Sequence, residues 1–129
     1  MIINKKIALT GALLALLAVA FGAFGAHGLK QLIDAKAIIS FETGVRYQMY
    51  HAFAILIVSF IPSILEKYRK LIFIFFLLGV LLFSGSIYLL SLNSIISFNT
   101  SVIGFITPLG GLSFILGWFL LVVALFKIK

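Results

Sequence analysis

The sequence predicts an all-α membrane protein: a four-transmembrane-helix bundle with both termini cytoplasmic and a short interfacial helix between helices 1 and 2. Three observations lead there. Of 129 residues, 64% are hydrophobic and only 10% charged, whereas a soluble domain devotes roughly a quarter of its residues to charge. The mean hydropathy is +1.30. The apolar residues gather into four runs, and the basic residues stand at the ends of those runs.

The expected spans, within one domain covering residues 1–129, are 7–26, 47–65, 71–92 and 102–126. The first follows Lys5-Lys6 and ends at Ala26-His27-Gly28, where Gly28 is placed to terminate a helix. The basic start and Ala18-Val19-Ala20 resemble a cleavable signal peptide. Three further spans and no secreted domain come next, so the segment is expected to stay as the first membrane helix. From Leu29 to Phe41, Lys30, Asp34 and Lys36 alternate with Leu32, Ile33, Ile38 and Ile39, which suits a short helix in the outer interface.

The second span is the short one. Only 14 uncharged residues separate His51 from Glu66, about 21 Å of helix against a hydrocarbon core of roughly 30 Å. It must recruit residues from Tyr47 onward, which draws a polar cluster into the outer interface or outer leaflet. Glu66-Lys67-Tyr68-Arg69-Lys70 reads as a cytoplasmic turn before the third span. In the fourth, Pro108 predicts a kink or a late start and frees the carbonyl of Gly104, for Thr107 or a neighbour to satisfy. Gly11, Gly22, Gly79, Gly110 and Gly117 belong to small-residue faces suited to close helix packing. Such faces serve either one bundle or the joining of copies, so membrane lipids are the expected partners and a homo-oligomer is admitted.

Orientation comes from charge. Lys5, Lys6, Lys67, Arg69, Lys70, Lys127 and Lys129 fall on one side, against Lys30, Lys36 and Arg46 on the other. Basic residues concentrate on the cytoplasmic side, which places both termini there. The net charge of +7 does not indicate nucleic acid, because these residues flank apolar runs instead of forming a basic face interleaved with aromatics. Absence of cysteine removes disulfides, thiolate metal sites and cysteine nucleophiles from consideration.

The chemistry-bearing residues are His27, Glu42, Arg46, Tyr47, Gln48, Tyr50 and His51. Ionisable groups at membrane depth cost about 2.5–3.5 kcal/mol each and call for a partner. Glu42 and Arg46 are one helical turn apart, which predicts an ion pair. Two accounts stand side by side. In the structural one, Glu42 and Arg46 neutralise each other, the tyrosines join an aromatic belt and His51 hydrogen-bonds a neighbouring helix. In the functional one, Arg46, His51 and His27 converge on an outer cavity that holds a lipid headgroup, an anion or a proton in transit. Two histidines without a shared carboxylate are a thin basis for haem or metal, so no cofactor is expected. Ser40, Ser84 and Ser86 lack a histidine and an acid at a recognisable spacing, so no enzyme is expected either. The alternative is a small transporter or proton-coupled permeation path, against which helix 2 offers only Ser59 between Phe53 and Leu65.

Three blocks carry a family resemblance: Gly22-Ala23-Phe24-Gly25-Ala26-His27-Gly28-Leu29, Phe41-Glu42-Thr43-Gly44-Val45-Arg46-Tyr47-Gln48-Met49-Tyr50-His51-Ala52, and Ile106-Thr107-Pro108-Leu109-Gly110-Gly111-Leu112 leading to Gly117-Trp118. Together they resemble the YgdD/YwdK-like family of small bacterial inner-membrane proteins, domain of unknown function 423. The resemblance implies a four-helix protein of the bacterial plasma membrane without an established activity, and brings no catalytic residues with it. The expected function is a non-enzymatic accessory or structural protein of the cell envelope, with a polar pocket for a lipid or unidentified small molecule at its outer face.

Overall fold

The computed structural model describes residues 3–97 and 99–128, and every regular element among them is helical. In order they are α1 (Lys5–Ala26), a 3₁₀ turn (Leu29–Gln31), α2 (Ala35–Phe60), α3 (Glu66–Gly79), α4 (Gly85–Ser91) and α5 (Thr100–Phe126). A π-helical turn, Val80–Ser84, fuses α3 and α4 into one rod, so four rods run antiparallel. Three stretches, Lys5–Gln31, Glu66–Ser91 and Thr100–Phe126, are long and apolar enough to cross a membrane. α2 matches them in length at 26 residues but carries the polar cluster. Lys129, one member of the charge count, lies outside the described residues.

The starts of α1 and α2 have local causes. Asn4 Oδ1 accepts the Ile7 N–H at the head of α1, and Asp34 Oδ1 accepts the Ala37 N–H at the head of α2 (2.8 Å). These are N-caps, which satisfy amides that have no partner within the helix. Asp34 also overturns the separate interfacial helix. With a cap there and no breaker before Phe60, residues from Ala35 on form the first turns of α2, leaving only the 3₁₀ turn between the rods. The apolar side of that segment, Leu29, Ile33, Ile38 and Phe41, is buried against Phe21, Val45, Tyr88 and Leu92.

α2 stops at Phe60, short of the expected end at Leu65, because Pro62 pushes Ile61 into an extended conformation (φ −85°, ψ 103°). Gly28 is not the left-handed terminator of α1: the break falls at His27, and Gly28 has right-handed helical angles (φ −66°, ψ −47°). Pro108 sits inside a continuous α5, so the late start is not taken.

α1 packs on α2, α3 on α5, and α2 joins the pairs through α3 and α4. Small residues set the approach. A Cβ at Gly110 would come within 2.3 Å of the Phe83 backbone nitrogen in the π-turn, and one at Gly79 within 2.2 Å of the Phe114 ring. Ile55, Val58, Ile72, Phe76 and Val80 fill the centre. Truncating fully buried Phe76 to alanine is expected to cost about 3–5 kcal/mol.

The rods define two ends. The near end holds the start of α1 and α3 and the finish of α2 and α5, tied by Asn4 Nδ2 donating to Glu66 Oε1 (2.9 Å) and by Lys127 donating to the Tyr68 hydroxyl. The far end holds the α1–α2 turn and the connection from α4 to α5.

Candidate functional site

Helical periodicity divides the predicted cluster. Glu42, Arg46 and Tyr50, spaced by four, lie on an exposed face of α2, whereas Gln48 and His51, spaced by three, are buried. Tyr47 lies at the edge of these faces, 39% exposed. The buried pair carries an inter-helical polar layer. Gln48 Nε2 donates to the Leu14 carbonyl of α1 (2.9 Å), and the Tyr88 hydroxyl of α4 donates to Gln48 Oε1 (2.7 Å). Trp118 Nε1 of α5 donates to His51 Nε2 (3.0 Å), while His51 Nδ1 lies 2.7 Å from the Tyr47 carbonyl. A carbonyl only accepts and an indole N–H only donates, so His51 is neutral with its proton on Nδ1. The expected hydrogen bond from His51 to a neighbouring helix is present. The imidazole also lies flat on Phe114, with centroids 3.6 Å apart and planes within 10°.

This layer is not at the far end. Leu14 follows Lys5 by nine residues, His51 precedes Phe60 by nine and Trp118 precedes Phe126 by eight, so each helix places it about 12–14 Å from the near end. The expectation of an outer position assumed a helix 2 reaching Leu65; stopping at Phe60 moves His51 toward mid-rod. His27 does not join it. His27 is exposed at the foot of α1, thirteen residues beyond Leu14, a separation of about 20 Å along the axis. The two histidines therefore cannot share one ligand.

The predicted Glu42–Arg46 ion pair is absent. Arg46 Nη2 donates instead to Thr43 Oγ1 (3.1 Å), and the one ion pair among the described residues is Glu66–Arg69. Glu42 lines a far-end cleft of about 450 Å³ together with Lys30, over walls that include Ile33, Ile38 and Ile39. Neither charge has a hydrogen-bond or ion-pair partner among the described residues.

Arg69 is the residue that sequence reasoning missed. Read as part of a cytoplasmic turn, it is only 4% exposed. Its Nη1 donates to the carbonyls of Val58 (3.2 Å) and Ser59 (3.0 Å), and its Nη2 to those of Ile61 (2.8 Å) and Ile64 (3.1 Å). Nε lies 3.1 Å from Glu66 Oε2, near enough for an ion pair though not aligned as a hydrogen bond. A guanidinium thus closes the C-terminus of α2, where unpaired carbonyls concentrate partial negative charge. A cleft of about 680 Å³ adjoins it, lined also by Lys5 and Lys6, but the buried cation in its wall is already committed to backbone. The only signal in the sequence was Pro62, which announces the helix end that Arg69 covers.

Among the described residues, no three histidine, cysteine or acidic side chains gather as metal ligands. The family model described as "Protein of unknown function (DUF423)" matches residues 21–111. The chain is 44% identical to the UPF0382 membrane protein YwdK of Bacillus subtilis, over 95% of this chain and 98% of that one. A UPF0382 membrane protein of Haemophilus influenzae is 41% identical over 98% and 97%, and one of Staphylococcus saprophyticus 40% identical over 96% and 99%. No solved structure matches.

Proposed function

This chain belongs to the DUF423 family of membrane proteins of unknown function, and from that premise we propose that it is a four-span accessory protein of the bacterial inner membrane whose outer end holds a phospholipid headgroup. Both termini are cytoplasmic in this reading, and the protein acts by binding and not by catalysis. The length of α2 supports the fourth span: at 26 residues it runs about 39 Å. Gln48 and His51 meet partners on other helices, which offsets the cost of carrying them across. Arg46 stands fourteen residues above Phe60, about 21 Å, where its long side chain reaches the outer headgroups. Lys5, Lys6, Lys67, Arg69, Lys70 and Lys127 gather at the near end, which supports a cytoplasmic position for it. A reporter fused to the C-terminus is expected to be active only in the cytoplasm; periplasmic activity contradicts the topology.

The observation that carries the binding role is the far-end cleft, where Lys30 and Glu42 line one space with apolar walls and without partners among the described residues. One cation and one anion complement a zwitterionic aminophospholipid, the ammonium taking its phosphate and the carboxylate its amine. Engaged polar groups in the mid-rod layer weigh against a permeation path. Native mass spectrometry of protein extracted from its own membranes tests the proposal. The wild type is expected to retain phosphatidylethanolamine, and Lys30→Gln and Glu42→Gln to lose most of it. A wild type free of phospholipid, or variants that keep it, contradicts the proposal.

A further inference from the structure

A third cleft, of about 340 Å³, opens at mid-rod between α2 and α5. The two helices meet there through side chains, His51 of α2 against Phe114 and Trp118 of α5, and the exposed rings of Tyr47 and Trp118 place the gap at the surface of the bundle. Its lining is mostly aromatic, completed by Gly111 and Ile115. Tyr47 rests on Phe83 with centroids 4.7 Å apart, His51 lies on Phe114, and Trp118 meets His51 edge-on at 5.8 Å. Trp118 is 44% exposed, whereas His51 behind it is buried. Gly111 leaves the remaining space: a Cβ there would find nothing nearer than 3.8 Å.

We propose that this cleft takes the ring of a lipid-soluble quinone or quinol. Flat aromatic walls favour a flat ring, since offset stacking contributes about 0.5–1.5 kcal/mol per pair beyond the area buried. A straight acyl chain gains no such term. The wall also presents one donor and one acceptor side by side, Trp118 Nε1–H and the lone pair of His51 Nε2, now satisfied by each other. A ring oxygen inserted between them accepts a hydrogen bond from the indole N–H as a quinone carbonyl, or donates one to the imidazole as a quinol hydroxyl. The volume lies at the lower end of small-molecule pockets, roughly 300–1,000 Å³. This site depends on the membrane placement of the protein but shares no residue with the far-end cleft, and the variants that test that cleft leave it untouched.

Trp118 is the only tryptophan in the chain, so its emission reports the cleft directly. The experiment titrates decylubiquinone into the full-length protein in phospholipid nanodiscs. The wild type is expected to show a saturating loss of emission above the linear collisional background. Gly111→Leu fills the gap and is expected to weaken the saturable component by about tenfold or more. Gly104→Leu, at a position with open space around it, is expected to retain it. Should Gly111→Leu melt early, Tyr47→Leu removes one aromatic wall from the exposed rim and is expected to weaken the same component by about threefold. Purely linear quenching in the wild type, or an unchanged saturable component in Gly111→Leu and Tyr47→Leu, overturns the proposal.

Discussion

The two ends of the molecule use the same sequence device and obtain opposite results. At the near end Glu66 is followed by Arg69, and in the far half of α2 Glu42 by Arg46, in each case an acid about one helical turn before an arginine. Arg69 is buried, ion-paired and bound to four carbonyls; Arg46 is exposed and meets only Thr43. What differs is the backbone nearby. α2 ends opposite Arg69 and leaves carbonyls without partners, whereas it runs unbroken past Arg46, where every carbonyl is already engaged along the helix. An acid–arginine spacing therefore becomes a structural clamp only where a helix terminus supplies acceptors. Where none is supplied, the charges stay available to something outside the chain.

The largest expected effect separates the two arginines. Arg69→Ala strips four carbonyls of their donor and is expected to cost on the order of 3 kcal/mol in detergent unfolding. Arg69→Lys is expected to recover less than half of that, because an ammonium cannot span the set as a planar fork does. A loss under about 0.5 kcal/mol for Arg69→Ala, the level of an ordinary surface change, breaks the comparison.

The mid-rod layer should fall between the extremes. Trp118→Phe keeps a ring beside Phe76 but removes the donor to His51, at an expected cost of about 1 kcal/mol in thermal unfolding. Smallest of all, Arg46→Ala and Glu42→Gln are expected to lie within about 0.5 kcal/mol of the wild type when lipid is removed. A destabilisation comparable to that of Arg69→Ala would make the far end structural as well.

Much of the fold was legible in the sequence. Lys5–Ala26, Glu66–Ser91 and Thr100–Phe126 follow from long apolar runs bounded by charge or cap residues. Two boundaries were readable but outweighed by hydropathy: Pro62 marks the end of α2, and Asp34 caps its start, merging the supposed interfacial helix into it. The candidate site was half legible. A three-residue step groups Gln48 with His51 and a four-residue step groups Glu42 with Arg46, so the two faces could have been separated by period alone. Their partners could not, because Leu14, Tyr88 and Trp118 come from three other helices. The burial of Arg69 depends on where the preceding helix ends; Pro62 announces that end, but nothing in the sequence announces that the guanidinium folds back over it.

The division of labour between the ends is tested most directly by melting the lipid-stripped protein with and without added phosphatidylethanolamine, comparing wild type, Arg69→Ala and Glu42→Gln. Arg69→Ala is expected to start from a lower melting temperature and to keep the lipid-induced rise. Glu42→Gln is expected to start where the wild type does and to lose the rise. A Glu42→Gln protein that gains as much from the lipid as the wild type, or an Arg69→Ala protein whose only loss is that gain, contradicts the account.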